Sequence, residues 1–275
     1  PYETWFVGHA KTGSNGNILW VSPEGDDRSA GSQEQPFATI SHAIQSAAPG
    51  NTIKILPGVY REQILITQGG SEGAPLLIEG AVDEEGQPAV TITSGAVLEG
   101  ELWEQAPDIG QGVYKTTQID YPVAGLTLDG EQVAPVHDRA MHQSLPLERK
   151  YSAWEILAWP EDHPIETTYT EAGIPFWATM GAIFYRHQLE GANQPTLYLR
   201  IAGGNSPANH QLEVFRPGAV VTIDNASHVA LRNLRIAGGD VGVGIYGNDA
   251  RFNEITNCHI LFGTDRIEIQ RGASH

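Results

Sequence analysis

The sequence predicts an all-β protein: a parallel β-helix, or solenoid, with one short helix near its start and a small β-rich subdomain inserted between its coils. Three observations predict this. Leu231-Arg232-Asn233-Leu234-Arg235-Ile236-Ala237-Gly238-Gly239 aligns without a gap on Ile255-Thr256-Asn257-Cys258-His259-Ile260-Leu261-Phe262-Gly263, 24 residues later. Val221-Thr222-Ile223 is echoed by Val243-Gly244-Ile245 and by Ile267-Glu268-Ile269, at spacings of 22 and then 24. The apolar runs are short, alternate with polar residues and are separated by Gly, Asn and Asp, which is the pattern of strands joined by turns. A unit of this length cannot bury its apolar face alone, so such units stack. Like side chains then lie about 4.8 Å apart from coil to coil. A leucine-rich repeat has a similar period, but its Leu consensus and helical half are missing here. Stacking sets Asn233 over Asn257 as an amide ladder, each side chain bonding its neighbour.

The composition agrees. With 31 Gly and 17 Pro among 275 residues, the chain is turn-rich rather than helical. The single cysteine, Cys258, falls at an apolar point of the repeat and reads as a core thiol, so no disulfide forms within the chain. A net charge of -17 argues against nucleic acid or an anionic membrane surface as partner. No run of 18 apolar residues exists, so no membrane-inserted helix is expected. Pro1 is not an initiator, and the sequence is expected to start after a cleavage or within a longer chain.

In chain order, residues 1–17 form a polar lead-in. Ile18-Leu19-Trp20-Val21 is a strand, followed by a loop dense in turn formers over 24–32. Phe37, Ile40, Ala43, Ile44, Ala47 and Ala48 recur at helical spacing, and Pro49-Gly50 stops the helix. Strands follow on both sides of Pro57-Gly58, then at 63–66, 76–80 and 90–92. A helix before the first coils covers apolar core and strand edges that an open solenoid end exposes. Residues 96–212 break the rhythm and form the inserted subdomain, with a hairpin expected at Leu128-Asp129-Gly130-Glu131 and a strand at 196–201. The coils of 18–95 resume at 213–275 and break off inside a repeat.

Trp20-Val21-Ser22-Pro23 with Gly25-Asp26-Asp27, then Pro36-Phe37-Ala38-Thr39-Ile40, Pro49-Gly50-Asn51-Thr52-Ile53, and Pro57-Gly58-Val59-Tyr60 with Glu62 resemble the N-terminal cap and first coils of the pectate-lyase-like superfamily. The resemblance covers about 18–95 and 213–275. It implies a right-handed, single-stranded parallel β-helix with a capping helix. It does not select an activity, because lyases, hydrolases, epimerases and non-catalytic surface proteins share that cap.

Candidate chemistry lies in two places. In the insert, His137, Asp138 and Arg139 suit acid-base work or a clamp on a sugar acid, and Trp154, Trp159 and Trp177 either build the core of the subdomain or offer faces on which sugar rings stack. On the coils, Asp224, Asp240, Asp249, Asp265 and Glu268 flank the strand ends. Asp240 and Asp265 follow equivalent Gly turns one coil apart and are the first choice for a carboxylate pair, although Asp is also an ordinary turn former. No metal-ligand spacing is present; the Asp content leaves room for calcium without a motif to hold it.

Together the cap, the repeat and the aromatic-rich insert lead to the expectation of a secreted carbohydrate-active protein. It would be a glycoside hydrolase or polysaccharide lyase acting on an extracellular or cell-wall polysaccharide or oligosaccharide, with its cleft on later coils, in part beyond His275. The alternative from a different class is a structural or adhesive extracellular protein that self-associates through its open end.

Overall fold

The computed structural model describes residues 16–135, 157–158, 182–187, 195–262 and 265–270. Two compact units are present: Pro1–Gly95 with Pro217–His275, and Ala96–Arg216.

The first unit opens with β1 (Ile18–Val21) and α1 (Ile40–Ser46), followed by β2 (Thr52–Ile55), β3 (Gly58–Tyr60), β4 (Ile64–Ile66), β5 (Leu76–Gly80) and β6 (Val90–Thr93). The second unit holds β7 (Gly95–Leu98, whose first residue belongs to the first unit), β8 (Glu104–Gln105), β9 (Val113–Thr116), β10 (Gly125–Leu128), β11 (Glu131–Gln132), β12 (Ala134–Pro135), β13 (Ala182–His187), β14 (Thr196–Ile201) and β15 (Leu212–Phe215). The chain then returns to the first unit with β16 (Ala219–Asp224), β17 (Val229–Arg232), β18 (Arg235–Ala237), β19 (Val241–Tyr246), β20 (Glu254–Thr256), β21 (His259–Leu261) and β22 (Asp265–Gln270).

Three parallel sheets make up the first unit: β1-β2-β5-β17-β20, β3-β6-β18-β21 and β4-β16-β19-β22. From β2 onward the chain visits them in rotation, one short strand in each. Alternation turns every second residue inward, and the register stacks those residues into rows. Leu19, Ile53, Ile78, Leu231 and Ile255 form one row. Tyr60, Ile92, Ile236 and Ile260 form a second. On the third sheet Ile64, Val221, Val243 and Ile267 run beside Ile66, Ile223, Ile245 and Ile269. Except for the exposed Ile267 and Ile269 on β22, the rows meet in one apolar core, where burying an Ile or Val fully is worth about 1.5–3 kcal/mol. The expected offsets of 22 and 24 are therefore hydrogen-bonded registers. Asn257 Nδ2 donates to Asn233 Oδ1 at 2.9 Å, as the ladder requires, and both residues take the left-handed conformation, with φ 49° and 56°.

Helix α1 is shorter than its apolar spacing suggests. Ile40, Ala43 and Ile44 are buried in the core, but Phe37 is held in a parallel bridge to Val21 and donates its N–H to Trp20 O. Two carboxylates secure the entry to the helix. Asp27 accepts from the N–H groups of Ala38 and Thr39 and from Thr39 Oγ1. Glu62 accepts from the N–H groups of Ile40 and Ser41 at 2.8 and 3.0 Å and from Ser41 Oγ. Those of Thr39, Ile40 and Ser41 are N–H groups a helix start leaves without intrahelical partners. Between β3 and β4, Arg61 Nη1 donates to Gly95 O and Gln63 Nε2 to Pro217 O, at 3.0 and 2.9 Å. The two ends of the excursion into the second unit are thus tied to neighbouring residues.

The second unit has its own apolar core, from Leu98 and Trp103 to Leu212 and Val214. Its sheets run β8-β9-β14-β13-β12 and β11-β10-β15-β7. The hairpin is present: Leu128 lies opposite Glu131, and Asp129 and Gly130 both have positive φ, which a tight two-residue turn between twisted strands requires.

Candidate functional site on the third parallel sheet

Among the described residues, the outward face of the third sheet gathers a tyrosine and two carboxylates. Leu65, Thr222, Gly244 and Glu268 lie side by side on its four strands. One outward position further on, Asp224, Tyr246 and Gln270 are in register. Gly244 contributes no side chain. A Cβ there would come within 2.4 Å of Tyr246 Cε2 and Oη, so the phenol folds back along its own strand and lies over the glycine. From that position Tyr246 Oη donates to Glu268 Oε2 at 2.8 Å. Gln270 Nε2 donates to the other carboxylate oxygen, Oε1. Asp224 Oδ1 accepts from Asn225 Nδ2 at 2.8 Å.

Burial of the phenol, then its hydrogen bond to Glu268 and the charges of Glu268 and Asp265, push the Tyr246 hydroxyl up to about 12. It is therefore a donor throughout the neutral range. With both oxygens accepting, Glu268 is held as an oriented acceptor, and Asp224 places a second carboxylate on the far side of the tyrosine strand.

Asp240 and Asp265 belong to the same sheet but to its opposite end. Asp265 N donates to Asp240 O at 2.9 Å, so the two are neighbours through their backbones. The Asp240 carboxylate accepts from Gly218 N at 2.9 Å and closes the turn before β16. From Val241 to Tyr246 the strand backbone covers about 16 Å, and the folded-back phenol of Tyr246 feels Asp265 only through its charge. His137, Asp138, Arg139, Trp154, Trp159 and Trp177 lie outside the described residues. Among the described residues no group of three or more His, Cys, Asp or Glu side chains is gathered for a metal ion. No helix among them is long and apolar enough to cross a membrane.

Two other polar arrangements are structural in character. Across the first sheet Lys54 pairs with Glu79 and Arg232 with Glu254, giving alternating charges that neutralise one another. In the second unit His210 Nδ1 lies 2.7 Å from Asp129 Oδ2, and Gln211 N donates to Asp129 Oδ1. The hydrogen bond from His210, then that from Gln211, holds the Asp129 carboxyl below the usual range. Its effect is to fasten the hairpin turn.

Tyr246 is the member of the candidate site that the strand-end carboxylates did not reveal. Its signal was present: Gly244 and Tyr246 are two residues apart and share a face, and Glu268 follows Gly244 by the repeat offset of 24.

Residues 23–89 match the model of a family described as a protein of unknown function, DUF1565. A stretch of 126 residues is 29% identical to the uncharacterized protein YwoF of Bacillus subtilis, covering 44% of this chain and 24% of that protein. Another of 62 residues is 36% identical to the pectate lyase PEL9 of Emericella nidulans, covering 22% of this chain and 15% of the lyase. Among solved structures, XylC in complex with xylose superposes with a TM-score of 0.62 at 16% identity, over 94% of this chain and 42% of the XylC chain. The likeness to XylC is one of fold. The matched parts amount to less than half the length of each of these three proteins.

Proposed function

We propose that this chain is part of a secreted carbohydrate-active enzyme built on a right-handed parallel β-helix, and that it hydrolyses a neutral glycan on the outward face of the third sheet. The observation that carries the proposal is the placement of Asp224 and Glu268 on the strands either side of Tyr246. Support for the fold comes from three parallel sheets visited in rotation and from the superposition on XylC. Support for a sugar substrate comes from the xylose bound to XylC and from the pectate lyase stretch.

Two carboxylates on one sheet face suit hydrolysis of a glycosidic bond. Glu268 takes a proton from water as the water oxygen bonds to the anomeric carbon. The bond from that carbon to the bridging oxygen breaks, and Asp224, entering the step as the carboxylic acid, gives its proton to the leaving oxygen and is left as the carboxylate. Tyr246, held as a phenol, keeps Glu268 in place. A uronate polymer is a poor fit: its carboxylates meet Glu268 on a chain of net charge -17.

The test is incubation with a panel of neutral and uronate polysaccharides, read by reducing ends and by absorbance of unsaturated uronates. Reducing ends from a neutral glycan, without unsaturated product, are expected. Unsaturated uronates replace hydrolysis with β-elimination, and the absence of any product sinks the enzymatic proposal.

A further inference from the structure

We infer that Gly244 is a positioning residue for this site: its missing side chain is the notch into which the Tyr246 phenol folds to hold Glu268. This rests on the proposed hydrolytic role of Glu268 and Asp224 and adds the residue that determines how Glu268 is presented.

The geometry leaves little choice. Gly244 lies directly between Thr222 and Glu268 in register, on the outward row. Any other residue would fill this position with its own side chain. Here the position is filled from two residues along, by the phenol of Tyr246, whose Cε2 and Oη stand 2.4 Å from where a Cβ would be. The contact is too close for any relaxed Cβ. A methyl group at 244 therefore displaces the ring and separates Oη from Glu268 Oε2, now 2.8 Å apart. Gly244 sits in regular strand and is not among the glycines with positive φ, so its backbone does not demand glycine. Glycine in a strand interior otherwise weakens the strand and often marks a close approach. Here the approaching group is a hydroxyl that donates to a carboxylate.

The experiment is alkaline titration of tyrosinate absorbance for the wild-type chain, Gly244→Ala and Tyr246→Phe, with circular dichroism to confirm folding. The difference between wild type and Tyr246→Phe isolates the Tyr246 transition, expected near 12. In folded Gly244→Ala that transition returns toward the ordinary tyrosine value of about 10. A folded Gly244→Ala whose transition stays near 12 overturns the proposal. Should Gly244→Ala fold poorly, the double variant Gly244→Ala/Tyr246→Ser decides. It is expected to be as stable as Tyr246→Ser alone, because the clashing ring is gone, and additive losses overturn the proposal. On the cleaved glycan, Gly244→Ala and Tyr246→Phe should lower kcat by the same factor, about tenfold or more, with KM little changed. Full activity in a Gly244→Ala chain that has lost the shifted transition also overturns the positioning role. A wild-type chain that cleaves no glycan counts against the hydrolytic role, and the titration still decides the place of Gly244.

Discussion

Tyr246 and Glu268 stand on adjacent parallel strands, yet the strand position opposite Glu268 belongs to Gly244, and the phenol reaches the carboxylate by folding back over that glycine. If Glu268 activates water and Asp224 protonates the leaving oxygen, Glu268→Gln and Asp224→Asn should each lower kcat on the cleaved glycan by about 10²–10⁴-fold. KM should change little, because neither substitution removes much volume. Steady-state kinetics of the folded variants check this.

The same phenol makes stability sensitive to alkali. Tyr246 has a folded value raised to about 12, above the ordinary value of about 10. Its contribution is fully present below about pH 10 and is lost as pH rises toward 12, since the unfolded chain releases that proton first. Cys258 acts in the same direction, because burial pushes its thiol up to about 11. Melting temperature measured against pH should therefore fall from about pH 9 upward, and less steeply in Tyr246→Phe and in Cys258→Ala.

Asp27 governs the acid side of the helix entry. Burial opposes its charge, but the hydrogen bonds from Thr39 and Ala38 outweigh that penalty and hold the carboxyl below its ordinary value. Its stabilisation is present above about pH 4 and lost as pH falls through the lowered value. Asp27→Ala should cost about 2 kcal/mol in urea unfolding near neutral pH, and the deficit relative to wild type should shrink in acid.

The Asn233 and Asn257 ladder combines two effects that substitution separates. Asn233→Gly keeps the left-handed backbone and loses the amide bond, whereas Asn233→Ala loses both. Alanine is expected to cost about 1–2 kcal/mol and glycine less, read from denaturant midpoints. Equal costs would mean that the amide bond, rather than the backbone conformation, carries the effect.

What was legible in the sequence is what the repeat controls. The pairing of Leu231 with Ile255, Ile236 with Ile260, and Val221 with Val243 and Ile267 follows from offsets of 22 and 24, because parallel stacking turns sequence offset into register. The hairpin at Asp129-Gly130 was legible from turn chemistry. The end of α1 nearest Phe37 was not. Its apolar spacing fits a helix, but the backbone of Phe37 is taken by Trp20 from a distant strand. The Tyr246 contact left only an indirect trace, a glycine two residues before the tyrosine on the same face, because the fold-back of the phenol over Gly244 is a matter of side-chain rotation that spacing does not fix. The strand-end carboxylates Asp224 and Glu268 stood among the candidates beside Asp240 and Asp265; the hydrogen bond from Tyr246 to Glu268 is what draws the proposal to them.

The two hydrogen bonds from Arg61 and Gln63 bear on how the chain can reach its native state. Strand β16 must find β4 only after the whole second unit has been threaded out and back. Closing so long a loop costs less than its length suggests, because the entropy grows with the logarithm of length, about 0.6 kcal/mol per doubling. Folding of the second unit offsets part of that cost, since β7 and β15, at the two ends of the detour, are neighbours in one of its sheets. Trimming the excursion to a short linker between Gly95 and Pro217 should therefore leave the equilibrium stability of the first unit nearly unchanged, while β16 docks sooner in refolding.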